Sequence, residues 1–199
     1  FIALPAPRKG QEESTLAEIK QIVMSNHDSI AAILLPGHGG SGEAAGRHWP
    51  EMAELYREIS KLCQDYDILM FWDCVMSGGG RVGGDASGRG YFASDNYKDV
   101  KVDGRSMAKG LTAGYGSGGL MMVNQPVAEA IDAMGCDFGS TYSGQCIPVA
   151  SAVLDTIEAD DHAILRNASE MGDLWASELA PQLVDRFPEI ILEANGTGL

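Results

Sequence analysis

The sequence predicts an α/β protein built on a mostly parallel sheet flanked by helices, and three observations carry that expectation. Two continuous apolar runs, Ile30 to Leu35 and Ile68 to Trp72, bracket an amphipathic segment, and strand, helix, strand in that order makes a right-handed crossover between parallel strands. Glycine, at 25 of 199 residues, gathers in three clusters at 37–46, 78–90 and 110–119, where tight loops bring backbone close to something else. The second apolar run ends in Asp73, and in open α/β sheets ligands bind just beyond the carboxyl ends of the strands.

Each element follows from local pattern. Leu16, Ile19, Ile22 and Val23 recur at helical spacing, and Asn26-His27-Asp28 breaks the helix before the first strand. Pro50 suits a first helical turn, and Met52, Leu55, Tyr56, Ile59, Leu62, Cys63 and Tyr66 then mark one apolar face. The run Ile68 to Trp72 reads as a strand covered on both faces. Val100 and Val102 alternate with charges and lead into Ser106, and Leu120 to Val123 forms another short apolar run, so both are strand candidates. A small-residue helix is expected from Pro148 to about Glu158. A second is expected from near Asp160, with Ile164, Leu165, Ala168, Met171, Leu174, Trp175, Leu179 and Leu183 on one face. Pro188 stops it, and Ile190-Ile191-Leu192 is read as the opening strand of a different unit.

Composition narrows the function. With 14 Lys and Arg against 28 Asp and Glu, the net charge of −14 repels nucleic-acid phosphate and anionic membrane surfaces. No apolar run approaches the ~20 residues of a membrane span, and Phe1 to Pro5 lacks the basic start of a signal peptide, so the expected compartment is the cytoplasm. Four cysteines without a C-x-x-C pair and four dispersed histidines give no zinc pattern, and no metal is expected. Two residues stand out for chemistry. Asp73 closes an apolar strand, where a poorly hydrated carboxylate wants a cationic partner. Lys109, between Ala108 and Gly110 ahead of a glycine-rich loop, offers an amine that partial desolvation would make more nucleophilic.

The segment Trp72-Asp73-Cys74-Val75-Met76-Ser77-Gly78-Gly79-Gly80-Arg81-Val82-Gly83 resembles the Asp-Glu-Val-(Gln/Met)-Thr-Gly-Phe-Gly-Arg-Thr-Gly stretch of class III pyridoxal-phosphate aminotransferases. Phe92-Ala93 with Tyr97, then Ser106-Met107-Ala108-Lys109-Gly110, then Gly139-Ser140-Thr141-Tyr142-Ser143-Gly144 are similar to later motifs of the same family, in the same order. Cys74 stands where the family has Glu, and Gly79 where it has an aromatic residue.

The resemblance implies a fold-type I large domain, incomplete at both ends, over residues 1–187, with 188–199 entering the small C-terminal domain. It implies that pyridoxal 5'-phosphate is held covalently by Lys109, that Asp73 pairs with the ring nitrogen, that Val75 packs on the ring and Met76 lies beside it, and that Thr141 donates to the phosphate of the neighbouring subunit's site. The expected protein is therefore a homodimer with shared active sites. It would move an amino group from an amine or ω-amino acid to an oxo acid such as pyruvate. The alternatives are an aminomutase of the glutamate-1-semialdehyde type and a non-catalytic aminotransferase-like partner module.

Overall fold

The computed structural model describes residues 1–5, 10–36, 52–136, 143–194 and 196–199. A four-stranded sheet in the order β1-β2-β3-β4 organises them. Strand β1 (Ala32–Pro36) lies parallel to β2 (Leu69–Asp73), β2 lies parallel to β3 (Gly104–Met107), and β4 (Leu120–Val123) closes the edge antiparallel to β3. Helix α1 (Glu12–Asn26) precedes the sheet and α2 (Met52–Asp65) connects β1 to β2, which is the crossover expected from the sequence. The chain leaves α1 through a short turn at His27–Ser29, the break marked by Asn26-His27-Asp28.

Apolar periodicity explains how these helices dock. Ile19 and Val23 of α1 and Leu55, Tyr56, Ile59, Leu62 and Cys63 of α2 are buried together with Ile33, Leu35, Met70 and Trp72 of the strands. Tyr56, Trp72 and Tyr97 meet as a ring cluster, with centroid separations of 4.8, 4.8 and 5.4 Å. Edge-on contacts of this kind add to burial because ring edges are positive and ring faces negative. Burial pushes the phenols of Tyr56 and Tyr97 far up.

The sheet departs from the expected double cover. In β2, Met70 and Trp72 are 1% and 0% exposed, whereas Leu69 is 37% exposed and Phe71 is half-buried; in β1, Leu34 is 64% exposed. The helices α1 and α2 cover the face that carries Met70 and Trp72, so among the described residues side chains alternate between a packed face and a more exposed one. The third strand also starts later than its valines indicated. Val100 and Val102 pack against the core, but pairing with β2 begins at Gly104, where a Cβ would sit 2.5 Å from the Phe71 ring.

The second half is helical. Helix α3 (Gln125–Met134) was not expected from apolar spacing, yet its ends are written in the sequence: Asn124 caps it by accepting from Val127 N at 3.1 Å, Pro126 sits in the first turn, and Gly135 adopts the left-handed conformation at its end. Helix α4 (Ile147–Leu174) contains the break anticipated near Asp160, because Ala159 leaves helical geometry and Asp160, Asp161 and His162 all have positive φ. Of the face expected beyond that break, Leu165 and Ala168 are buried, while Ile164, Met171, Leu174 and Leu179 are 38–45% exposed. The chain then passes through a wide turn at Trp175–Leu179 into α5 (Ala180–Arg186), with Pro181 in its first turn. No strand forms at 190–192. Ile190 and Leu192 are exposed, and the amides of Ile190 and Ile191 both fold back onto the Phe187 carbonyl.

Candidate active site

Asp73 ends β2, and its Cα pairs in register with Ser106 of β3. Two donors converge on one of its oxygens. The Val75 amide donates to Oδ1 at 2.8 Å and the Ser106 hydroxyl donates to the same Oδ1 at 3.1 Å, and Oδ2 takes part in neither bond. The carboxylate is half-buried, as expected for a group placed at the carboxyl edge of a sheet.

Lys109 follows two residues after β3, so it leaves the same carboxyl edge one strand over. It is exposed, takes part in none of the described ion pairs, and has a backbone φ of 44°. A non-glycine residue in the left-handed region is held there against a steric penalty, and such strain clusters where a side chain must be aimed. The hold is visible in the residues that follow. Leu111 and Thr112 of the following short helical turn are buried, Ala113 is again left-handed, and the Thr112 hydroxyl donates to the Gly116 carbonyl at 2.6 Å to close the loop.

The glycine cluster after Asp73 joins these two groups. Gly78 N donates to Cys74 O at 2.7 Å, and the amides of Gly79 and Gly80 donate to Tyr91 O at 2.8 and 3.2 Å, folding the chain into a tight turn. A Cβ on Gly110 would lie 3.2 Å from Gly78 O, and one on Gly79 would lie 3.5 Å from the Gly110 carbonyl carbon. The turn that leaves Asp73 thus rests backbone to backbone on the residue that follows Lys109, a closeness that a side chain at Gly110 would crowd.

The remaining expected residues distribute as follows. Val75 is half-buried and Met76 is 37% exposed, both on the turn beside Asp73. Thr141 lies outside the described residues. Cys74 is 0% exposed and faces the core, its thiol pushed up by burial while the Ala93 and Ser94 amides donate to it, so the family's Glu position does not open onto Asp73 in this chain. Ser106 was quoted in the lysine motif without a role. Its signal is positional, since a hydroxyl three residues before the lysine falls opposite Asp73 once the strands pair. Next to it, the Arg105 guanidinium is fixed by Ser94 Oγ at 2.6 Å and Asp95 Oδ1 at 3.2 Å and lies 5.4 Å from the Phe92 ring centroid, which immobilises β3.

A separate groove of about 270 Å³ lies farther along the glycine loop, between Val82–Asp85, Ser169 and Thr197. It is shaped by close backbone approaches. Leu199 N donates to Arg81 O at 2.8 Å, and a Cβ on Gly198 would strike the Arg81 carbonyl while one on Gly172 would strike Gly198 N. Among the described residues no cluster of three His, Cys, Asp or Glu is arranged to hold a metal ion, and no helix is long and apolar enough to cross a membrane.

A mostly parallel sheet with a carboxylate and a lysine at the carboxyl ends of adjacent strands, joined by a glycine turn, defines a class. The chain belongs to the class III aminotransferases, whose family model matches residues 1–199. Among individual relatives, it is 29% identical over 188 residues to the acetylornithine aminotransferase of Brucella melitensis, covering 90% of this chain and 43% of that protein. It is 32% identical over 191 residues to the putrescine–pyruvate aminotransferase of Pseudomonas aeruginosa, covering 90% of this chain and 37% of that one. The crystal structure of an (S)-enantioselective omega-transaminase from Thermomicrobium roseum superimposes with a TM-score of 0.76 at 26% identity, over 96% of this chain and 40% of the other. The chain therefore spans about two fifths of the length of the proteins it matches.

Proposed function

We propose that this chain carries the lysine and ring-nitrogen carboxylate of a pyridoxal-phosphate aminotransferase that moves an amino group from an amine or ω-amino acid to an oxo acid such as pyruvate. The observation that supports the reading best is the pairing of Asp73 with Ser106 across β2 and β3, which sets a half-buried carboxylate beside the strand that leads into Lys109. The donor set suits the cofactor. A carboxylate whose described bonds both use one oxygen keeps the other for a protonated ring nitrogen, and an exposed amine outside every described ion pair is available for covalent attachment.

Bound pyridoxal phosphate would supply a conjugated ring that accepts the electron pair left on the substrate carbon. The chain's own residues would do the rest. Asp73 holds the proton on the ring nitrogen by charge, which is stronger in a partly desolvated site than in water. The Lys109 Nζ would be the base that takes the proton from the substrate Cα and the acid that later gives it back. Val75, half-buried beside the carboxylate, would offer the ring an apolar surface, with Met76 beside it. Residues 1–187 would form the greater part of the cofactor-binding large domain and 188–199 the entry to the small domain. Thr141 would serve the phosphate of the neighbouring subunit in a homodimer with shared sites.

The test is borohydride reduction of the full-length protein with pyridoxal phosphate, followed by peptide mapping. Label is expected on Lys109; label on Lys61 or Lys101 instead would overturn the assignment. Failure of the full-length protein to bind the cofactor would favour the non-catalytic module.

A further inference from the structure

We infer that Ser106 is a positioning residue for Asp73, holding Oδ1 from the neighbouring strand so that Oδ2 is the oxygen presented to the ring nitrogen; this rests on the function proposed above. A carboxylate at a strand end can rotate about its last side-chain bond, and a single hydrogen bond from Val75 N, itself on a turn, leaves that rotation open. The second donor comes from a different element. Ser106 lies within β3, its carbonyl accepts from Cys74 N at 2.8 Å, and its flanking residues are locked, Arg105 by Ser94 and Asp95 and Met107 by burial at 2% exposure. The hydroxyl is therefore delivered from the rigid part of the sheet, and its bond to Oδ1 at 3.1 Å ties the carboxylate to the strand that leads into Lys109.

The two catalytic groups thereby share one support. Ser106 touches Asp73 and stands three residues ahead of Lys109, so the sheet fixes the spacing of acid and amine through a single four-residue strand. A hydrogen bond to a charged acceptor is stronger than one between neutral groups, so its loss frees the carboxylate to rotate.

The experiment compares wild type, Ser106→Ala, Ser106→Thr and Asp73→Asn, with and without Ser106→Ala, in the full-length protein. Cofactor affinity is read by absorbance titration, kcat and KM for the amino donor by steady-state kinetics, and the fold by thermal unfolding without cofactor. Ser106→Ala should raise the cofactor Kd about tenfold and lower kcat by about 10- to 100-fold with KM within about twofold. Threonine, which keeps the hydroxyl, should restore most of both. In the Asp73→Asn background the alanine change should cost nothing more, because the group it positions has gone. Wild-type affinity and turnover in Ser106→Ala would overturn the inference and leave the proposed function standing. A kcat loss that threonine does not rescue, or that tracks a fall in unfolding temperature, would also overturn it by making the serine merely structural. If wild type itself fails to bind pyridoxal phosphate, the proposed function falls and this inference with it.

Discussion

Adding one methyl group at Gly78 probes the seam between the Asp73 turn and the lysine strand. Its Cβ would lie 2.7 Å from Cys74 O and 3.1 Å from Met107 Cγ. Ordinary contacts at about 3.5 Å mean that roughly half an ångström or more must be found somewhere. Neither neighbour can easily give. Cys74 O already accepts from Gly78 N at 2.7 Å, Cys74 N donates to Ser106 O at 2.8 Å, which ties the peptide before it to the sheet, and Met107 is 2% exposed within β3. The turn itself must shift, and overpacking of this kind costs about 1–3 kcal/mol. For a domain of this size that corresponds to a drop in Tm of roughly 2–12 °C. Because the same turn carries the Val75 amide to Asp73 and rests on Gly110, cofactor affinity should fall with it. Gly116→Ala, where no heavy atom lies within 4 Å of the new Cβ, is the matched control and should change Tm by little. Thermal unfolding and cofactor titration of the two variants decide the matter: equal Tm values for Gly78→Ala and Gly116→Ala would refute the close-approach reasoning.

Three further outcomes follow from the structure. Asp73→Asn keeps the shape but removes the charge, so turnover should fall by orders of magnitude while the cofactor still binds, and near-normal kcat would remove the carboxylate from the mechanism. At Lys109 both Ala and Gly should abolish covalent cofactor attachment, but the φ of 44° makes Gly more stable than Ala by about 0.5–1 kcal/mol in chemical denaturation, and the reverse order would deny the strain. Burial pushes the Cys63 thiol up to about 12. Its contribution to stability is complete below its unfolded value of about 8.5 and is lost as pH rises toward 12. The urea midpoint should therefore decline above pH 8.5 less steeply in Cys63→Ala than in wild type, and parallel slopes would count against it.

Much of this architecture is legible in residue order, and the exceptions have physical reasons. The spacing in α2 and the apolar run ending at Asp73 locate the first crossover because each element buries its own face. The start of β3 is misread from Val100 and Val102 because burial and strand pairing are different properties: the valines are packed, while the ladder begins at Gly104, the residue without a Cβ to collide with Phe71. Helix α3 has no buried residue, so its signal is in its caps and not in periodicity. The place of Asp73 at the end of an apolar strand is readable from residue order, whereas the Ser106 contact depends on which strands are neighbours and in what register. Ile190 to Leu192 shows the limit of apolar runs, since three such residues form a strand only where a partner edge is available.

The meeting of Gly172, Gly198 and the Arg81–Val82 backbone also has a mechanical meaning. Side chains act as compliant spacers, able to change rotamer when two segments slide, and here none intervenes between helix α4, residues 196–199 and the loop that runs back to Asp73. Displacement of the segment at 196–199 would therefore reach the loop at Arg81 without slack, like a keyed joint and not a cushioned one. A load applied at that segment is felt eight residues from the carboxylate, and a single added methyl at Gly198 would hold the joint open.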